Sequence, residues 1–401
     1  MTFNNTENTE IEGNVLIIQY GYNSVVSNTV LAGIITESLN YECIEEVYGC
    51  RNGIDGILRE EFVNLAEQSQ KTIKNLQTTP CAFLHSTVEN TSGKIDFDTL
   101  KSVFEKYNIR YLFAIGGHDA QSDAYNISKY LQSVNYEIRV ITVPVAPEND
   151  IVLTDHCLGY GSAAKNIASN VQNLAKYGES IGNHNLVLIM EIADSHSGWL
   201  TASADIVNYA KENEFVPYYI VLPTQSIAVG EISSTILEML KRNKYCVIVV
   251  PSKLQDESGN PLYSKQISAS ENLKNLLQEE IDIDIEVINP GVLQNISSRV
   301  ISKFDQEEAY KSGTEAVDFA LEGKSEQMLT ILRSDKAQLK TEFSTVNLSE
   351  VVNKRKIFNE NWIEDNGRIS NNFRKYLSPL IQGEVVGTYT DGLQIFANDH
   401  K

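Results

Sequence analysis

Short apolar runs alternate with longer amphipathic segments along the chain. The apolar runs have the length of buried strands, and the segments between them repeat their apolar residues at helical spacing. Strands that alternate with helices form βαβ units, whose parallel sheets are covered by helices on both faces. The pattern therefore predicts an α/β fold with two doubly wound, Rossmann-like αβα domains and a cleft between them. The predicted strands are 15–19, 111–115, 140–145, 186–192, 218–222, 246–250 and 283–288.

In doubly wound folds, ligands bind beyond the carboxyl ends of the parallel strands. The loop after the second predicted strand contains Gly116 and Gly117, which would let a phosphate approach the backbone at a helix N-terminus. A simple tight turn accounts for an isolated pair of glycines equally well. The next loop carries Glu148 and Asp150, which by themselves indicate a carboxylate site. The six candidate loops begin at Tyr20, Gly116, Pro144, Ala193, Pro223 and Pro251.

The net charge of −20 limits the ligands that this chain can bind. Binding to nucleic-acid backbones or to anionic membranes rests on clustered lysine and arginine, so we expect neither partner. A phosphate site would have to place its cations against the field of the whole protein. The five cysteines show no CxxC pairs, which disfavours a zinc site and a disulfide framework and favours reduced thiols in a cytoplasm.

A length of 401 residues suits about two or three domains. No apolar run approaches the roughly 20 residues that a membrane helix needs. Residues 1–12 are polar and acidic and lack the basic and apolar regions of a secretory signal, so we predict a flexible tail there. A cytoplasmic location is the expectation that follows.

Several segments carry a resemblance to a known family. In chain order, they include GYNSVVSN at 21–28, GGHD at 116–119, PVAPEND at 144–150, TDHCLGYGSAAK at 154–165, EIADSHSGWLTA at 191–202 and LIQGE at 380–384. Together they resemble the motifs of the long bacterial type of pyrophosphate-dependent 6-phosphofructokinase (diphosphate:fructose-6-phosphate 1-phosphotransferase), over about 12–387. The resemblance implies a phosphofructokinase-like fold. Its phosphoryl-donor-type domain would comprise 13–152 plus about 303–340, and its sugar-phosphate-type domain 153–302 plus about 341–401.

The donor loops depart from the family pattern at the positions that the resemblance assigns to phosphate and metal. Tyr22 replaces a family glycine, and Val88 replaces a phosphate-binding arginine. His118 replaces an oxygen ligand of magnesium and is a poor substitute, because magnesium prefers oxygen; Asp119 remains as a possible ligand. The degenerate phosphate loop thus consists, by position, of Gly21, Tyr22, Gly116, Gly117 and Asp119.

The loop that holds the general base reads PKTIDND in the family and PVAPEND here. Val145 and Ala146 replace the lysine and threonine that contact phosphate and sugar. Glu148 replaces the aspartate base with a longer side chain that follows a proline, whereas Asp150 matches the family outright. A misplacement of about 1 Å can lower a rate on the order of 100-fold. Glu148 and Asp150 therefore mark the catalytic positions but are predicted not to function.

The sugar-phosphate loops depart as well. Ala193, Asp194 and Ser195 replace the MGR motif, whose arginine binds the 6-phosphate, and the anionic Asp194 is expected to repel a phosphate there. The SEG motif becomes Pro251, Ser252 and Lys253. Other family residues that bind sugar hydroxyls or phosphate are replaced by Thr224, Asn295 and Ser378.

Three hypotheses follow from these departures. The first is a pseudoenzyme of the phosphofructokinase family that serves as a regulatory, binding or self-assembling subunit, with no cofactor expected. The second is an active pyrophosphate- or ATP-dependent phosphofructokinase that requires magnesium and compensates through residues such as Lys165, Lys253 or Arg299. The third is an enzyme with a changed substrate, unless the same residues form only a solvated acidic crevice. Its candidate residues are His118, Asp119, Glu148, Asp150, Asp194 and His196.

The resemblance also bears on partners. Family members form dimers or tetramers whose sugar sites span the interface. We therefore expect a homo-oligomer, either a closed dimer or tetramer or a filament, or a hetero-oligomer with an active phosphofructokinase.

Overall fold

The computed structural model describes residues 11–21, 24–86, 95–194, 196–208, 216–334, 340–364 and 368–398. These residues form two large β-sheets flanked by helices. The strands are β1 (Gly13–Gln19), β2 (Ile44–Cys50), β3 (Phe62–Asn64), β4 (Ile109–Gly116), β5 (Arg139–Pro144), β6 (Leu186–Ile192), β7 (Tyr218–Ile220), β8 (Ser226–Ile227), β9 (Tyr245–Pro251), β10 (Gln255–Asp256), β11 (Asp284–Ile288), β12 (Gln327–Arg333), β13 (Thr341–Asn347), β14 (Tyr389–Thr390) and β15 (Leu393–Gln394).

Thirteen α-helices connect or follow these strands in the described residues. They are α1 (Ser27–Ser38), α2 (Gly53–Leu58), α3 (Gln70–Leu76), α4 (Phe97–Lys106), α5 (His118–Ser133), α6 (Tyr160–Ser180), α7 (Trp199–Ser203), α8 (Val229–Asn243), α9 (Ala269–Glu280), α10 (Leu293–Ile296), α11 (Lys303–Leu321), α12 (Leu348–Val351) and α13 (Asn371–Leu377). Short 3₁₀ turns lie at Ala204–Asn208, Glu360–Trp362 and Ser378–Ile381. None of the helices that the structure describes is long and apolar enough to cross a bilayer.

The larger sheet has seven strands in the order β13-β12-β5-β4-β1-β2-β3, and its four central neighbours β2, β1, β4 and β5 run parallel. The smaller sheet has the order β11-β6-β9-β7 and is parallel throughout. Strands β1, β6 and β9 are buried along their whole length, as expected for strands covered by helices on both faces. The predicted α/β fold with two doubly wound sheets is thus confirmed.

The sequence pattern located the buried central strands and missed most of the outer ones. All seven predicted strands are present, with ends shifted by no more than two residues, whereas β2, β3, β12 and β13 were not predicted. In β13 the burial pattern alternates without a fully buried position, and the strand pairs antiparallel with β12 at the sheet edge. Residues 341–347 thus lie in the larger sheet, whereas the boundary predicted at about 340 assigned them to the other domain.

Helices α1 and α11 cross with their backbones in close contact on one face of the larger sheet. A Cβ atom added at Gly33 would lie 2.2 Å from the carbonyl oxygen of Tyr310, and one at Gly313 would lie 2.3 Å from that of Val30. Both glycines are therefore required by the helix crossing. Helix α11 also holds the start of α6, because the Asp305 carboxylate accepts hydrogen bonds from the backbone N–H groups of Gly159 and Ser162, each at 2.9 Å.

Candidate functional site

A cavity of about 340 Å³ opens beyond the carboxyl ends of β1, β4 and β5. This is the edge at which a doubly wound sheet binds its ligands. The loop after β6 and the segment that follows α12 complete its wall. The cavity is lined by Tyr20, Gly21, Ser24, Ser27, Gly117, His118, Asp119, Val145, Ala146, Pro147, Glu148, Asp150, His196 and Arg355.

Helix α5 begins at this cavity with an open N-terminus. Gly117 is its N-cap residue and supplies no side-chain hydrogen bond to the first turn. A Cβ atom added at Gly117 would have its nearest neighbours 3.9 Å away, so packing does not require a glycine here. At Gly116, by contrast, an added Cβ would lie 2.6 Å from the Tyr20 Cβ. The bare backbone at Gly117 leaves the helix N-terminus accessible to an anion.

The Asp150 carboxylate lies between two basic side chains. Its Oδ2 atom is 2.9 Å from His118 Nε2 and 2.9 Å from an Arg355 guanidinium nitrogen. Burial raises the pKa of Asp150, but the contact with His118 and the charge of Arg355 outweigh burial and hold the pKa below its ordinary value. Asp150 is therefore an ionised carboxylate at neutral pH. His118, which the family resemblance places at a metal position, makes this contact.

The segment that carries Arg355 joins two of the site loops. The Lys356 backbone N–H donates to the Asp150 carbonyl at 2.8 Å, and the Phe358 N–H donates to the Ser197 carbonyl at 2.7 Å. Residues 355–358 thus lie between the loop after β5 and the loop after β6. Sequence reasoning missed both Arg355 and Lys356. Three consecutive cations at 354–356 stand out in a strongly acidic chain, but this run does not indicate which loops the segment contacts.

Asn149 fixes the conformation of the predicted base loop. It is fully buried and left-handed, with φ +54°. Its side-chain oxygen accepts from the Cys157 N–H at 2.9 Å and from Lys356 Nζ at 3.1 Å, while its amide nitrogen donates to the Tyr376 hydroxyl at 3.0 Å. Burial lowers the pKa of Lys356, although nearby acidic groups oppose the shift. The loop is held from three sides, so its conformation is well determined.

Glu148 lies in this loop, half-buried and on the cavity wall. Its backbone carbonyl accepts a hydrogen bond from Ser197 Oγ at 2.9 Å, which links the loop to the β6 side of the site. Val145 and Ala146, on the same wall, are almost completely buried. Their aliphatic side chains cannot donate to a phosphate or to a sugar hydroxyl.

Asp194 does not face the cavity, and the predicted repulsion of a phosphate by this residue is wrong. The side chain is 1% exposed. Its Oδ1 atom accepts from the backbone N–H groups of Ser197 and Gly198 at 3.2 and 3.1 Å. Its Oδ2 atom accepts from the N–H and the hydroxyl of Thr201, each at 3.1 Å. The carboxylate therefore accepts the hydrogen bonds of the N–H groups at the start of α7, and these donors stabilise its charge.

The remaining predicted sugar-side residues are spread over different places. His196 lines the cavity, and its Nε2 atom lies 3.0 Å from Lys253 Nζ. Thr224 is exposed on the loop after β7, and Asn295 is buried with its side-chain oxygen accepting from Gln294 at 3.1 Å; neither lines the cavity. The predicted positions Tyr22, Val88 and Ser195 lie outside the described residues.

Of the three predicted compensating cations, one reaches the site region. Lys165 donates to the Gly383 carbonyl at 2.5 Å and pairs with Glu384 at 3.0 Å, so it anchors the C-terminal segment. Arg299 is exposed and does not line the cavity. Lys253 contacts the cavity residue His196.

The predicted magnesium residues do not form a metal site by themselves. Among the described residues, no three His, Cys, Asp or Glu side chains converge in a way that could hold a metal ion. Asp119 offers oxygen, but His118 offers nitrogen that faces Asp150, and magnesium requires oxygen ligands in octahedral geometry. The side chains present therefore do not fit a magnesium ion held by the protein alone.

Comparison with known proteins agrees with this arrangement. The family model described as "Phosphofructokinase" matches residues 14–320. A curated relative, the pyrophosphate–fructose 6-phosphate 1-phosphotransferase of Xanthomonas campestris pv. campestris, is 28% identical over 95% of this chain and 94% of its own.

Two solved structures of pyrophosphate-dependent phosphofructokinases superpose over the same extent. The protein from Nitrosospira multiformis is 29% identical with a TM-score of 0.90, and the one from Marinobacter aquaeolei is 30% identical with a TM-score of 0.88. Each comparison covers 96% of both chains. The resemblance in the motifs therefore extends to the whole fold, and the chain belongs to the phosphofructokinase family, with full-length similarity to the long bacterial pyrophosphate-dependent type.

Proposed function

We propose that this protein transfers a phosphoryl group from pyrophosphate to the hydroxyl of a phosphorylated sugar in the cavity at α5. The observation that carries the proposal is the convergence, on one cavity, of the open helix N-terminus at Gly117, the carboxylate of Glu148 and the guanidinium of Arg355. Phosphoryl transfer depends mainly on positioning and on electrostatic stabilisation, and these three groups supply a base, a cation and backbone donors. Fructose 6-phosphate is the acceptor named for the curated relatives.

Each group has a distinct role in the proposed reaction. The N–H groups of the first turn of α5 bind oxygens of the phosphoryl donor. The oxygen of the sugar hydroxyl bonds to the terminal phosphorus of pyrophosphate while Glu148 accepts the proton of that hydroxyl. The bridging P–O bond of pyrophosphate breaks, and phosphate is released. Arg355 offsets the negative charge of the transferred group, and its contact with Asp150 fixes its position.

A direct assay tests this proposal. The purified chain is incubated in magnesium-containing buffer with fructose 6-phosphate and either pyrophosphate or ATP, and fructose 1,6-bisphosphate is measured. We expect product with pyrophosphate, and we expect Glu148→Gln to lower the rate by about 100-fold or more, because a general base contributes roughly 10²–10⁴. Absence of product with both donors from protein that is folded would contradict the proposal.

A non-catalytic family member is the second candidate, and one observation favours it. The two positions that resemble the family's lysine and threonine carry Val145 and Ala146, whose buried aliphatic side chains offer no contact to phosphate. In this case the chain would act as a binding or regulatory subunit, assembled with copies of itself or with an active phosphofructokinase. Co-purification with an active phosphofructokinase, together with no product from the isolated chain, would favour this candidate.

A further inference from the structure

Two basic side chains from separate segments line one part of the cavity, and a third contacts one of them. His196 comes from the loop after β6, Lys253 follows β9, and Arg355 precedes the 3₁₀ turn at Glu360–Trp362. His196 and Arg355 both line the cavity, and Lys253 Nζ is 3.0 Å from His196 Nε2. The backbone bond from Phe358 to the Ser197 carbonyl holds the Arg355 segment beside the His196 loop.

Two of the carboxylates near this cluster, Asp194 and Asp150, are already engaged. Asp194 is saturated by the N-terminal donors of α7, and Asp150 is shared between His118 and Arg355. In the part of the chain that the structure describes, Lys253 has no carboxylate within ion-pairing distance, and its polar contact is the His196 imidazole. An ammonium that faces an imidazole in a chain of net charge −20 is a local excess of positive charge.

The protonation of His196 reflects this excess. Its pKa is lowered by partial burial and then by the charges of Lys253 and Arg355, while Asp194 and Asp150 raise it by less. Glu148 lines the same cavity wall as His196 and is a further charged group near the imidazole. His196 is therefore neutral at neutral pH, and its Nε2 atom accepts a hydrogen bond from Lys253. A dianion bound beside the ring would offset the cations and favour protonation.

We propose that His196, Lys253 and Arg355 form a binding site for a phosphate group of the ligand. The proposal rests on the proposed function, since it assigns a location to a phosphate of its substrates. It also accounts for the departures in the two sugar-side loops: the arginine position at 195 is serine, while a cation appears at Lys253 in the neighbouring loop. The positive charge of the phosphate site thus comes from positions of the chain other than the one at which the family carries its arginine.

Titration calorimetry with four compounds tests the site and identifies the source of the phosphate. The compounds are inorganic phosphate, pyrophosphate, fructose 6-phosphate and, as the uncharged control, fructose. We expect Lys253→Ala to weaken the binding of the phosphate-bearing ligand by about 10- to 100-fold, as for the loss of a charge-assisted contact. Lys265→Ala is the matched control: it removes an exposed lysine that, like Lys253, lies between β9 and α9. This variant should bind each compound with the affinity of the wild type.

Proton uptake gives a readout that a purely structural lysine would not affect. Wild-type binding measured at pH 7 in two buffers of different ionisation enthalpy should show uptake of a fraction of a proton, and His196→Asn should abolish that uptake. Wild-type binding without proton uptake, together with unchanged affinity in Lys253→Ala, would overturn the site. The proton uptake of the wild-type protein is measured without any variant.

The outcomes separate the site from the proposed function. Turnover with pyrophosphate that is insensitive to Lys253→Ala and His196→Asn would retain the function and reject the site. Phosphate binding that depends on Lys253, without any turnover, would retain the site and reject the function. If only fructose 6-phosphate loses affinity, the site holds the sugar phosphate; if only pyrophosphate does, it holds the donor.

Discussion

Helices α5 and α7 both begin just beyond a central strand of their sheets, yet their N-termini are treated in opposite ways. At α7 the buried Asp194 carboxylate receives the hydrogen bonds of the first turn. At α5 the N-cap is Gly117, which has no side chain, and the first turn opens into the cavity. The fold itself supplies the anion at α7. At α5 the acidic residue of the first turn, Asp119, is exposed, and the N-terminus opens to a ligand in the cavity.

Asp194 and Asp150, which lie near these two helices, also differ in the groups that surround their carboxylates. Asp194 faces neutral backbone donors and is closed off from solvent, while Asp150 faces His118 and Arg355 on the cavity wall. The presence of an aspartate in a sequence motif therefore does not by itself mean that the site repels an anionic ligand. Its effect on a ligand depends on which donors already surround it.

The largest effect is expected for Asp194→Ala. This change leaves the buried N–H groups of Ser197, Gly198 and Thr201 without their acceptor, and each orphaned donor costs roughly 1–3 kcal/mol. We expect a loss of about 3–5 kcal/mol in the free energy of unfolding, measured by urea denaturation. Asp194→Asn keeps one acceptor and should lose less. Normal stability in both variants, with tighter phosphate binding, would show instead that Asp194 faces the cleft.

A smaller loss is expected for Asp150→Asn, which removes the charge between His118 and Arg355. Arg355 is half exposed, so water replaces part of the lost interaction. We expect a decrease of about 1–2 kcal/mol in the free energy of unfolding at pH 7. Lys303→Ala, which breaks an exposed pair with Glu307 on α11, is the control and should change stability by less than about 0.5 kcal/mol.

The pH dependence of this difference has a definite sign. The pKa of Asp150 is lower in the folded protein than its ordinary value of 3.8, so its ionised form stabilises the fold. The stabilisation is complete above 3.8 and is lost as the pH falls through the lower pKa of the folded state. The difference between wild type and Asp150→Asn should therefore shrink as the pH falls below 3.8. A difference that persisted undiminished at pH values far below 3.8 would contradict the ion pair.

The role of Asp194 could not be predicted from the sequence. Asp194 stands before Ser197 and is separated from the first residue of α7, and the N-cap itself is Gly198, so the usual position of a capping residue is not occupied by an acidic side chain. The family resemblance placed Asp194 in a sugar-binding position and suggested repulsion. The conformation of the loop before α7 decides the role instead, because it directs the carboxylate oxygens toward backbone N–H groups.

Arg355 could not be placed from the sequence. It contacts Asp150 across 205 residues of chain, from a short irregular segment without a periodic pattern. The central strands were predictable, because their uninterrupted apolar runs reflect burial on both faces. The site depends on pairings between distant loops, and the hydrophobic pattern carries no information about them.

The smallest change in stability, and the sharpest comparison of the two helix starts, comes from Gly117→Ala. The added methyl group meets no atom closer than 3.9 Å, so the free energy of unfolding should change by no more than about 1 kcal/mol. The same methyl group would stand where an anion approaches the first turn of α5, and calorimetry should show pyrophosphate binding weakened by about tenfold. Gly230→Ala places a methyl group in open space on α8 and should leave binding unchanged. Equal pyrophosphate affinity in both variants would mean that the open start of α5 does not bind the donor, and that its difference from α7 lies only in what caps it.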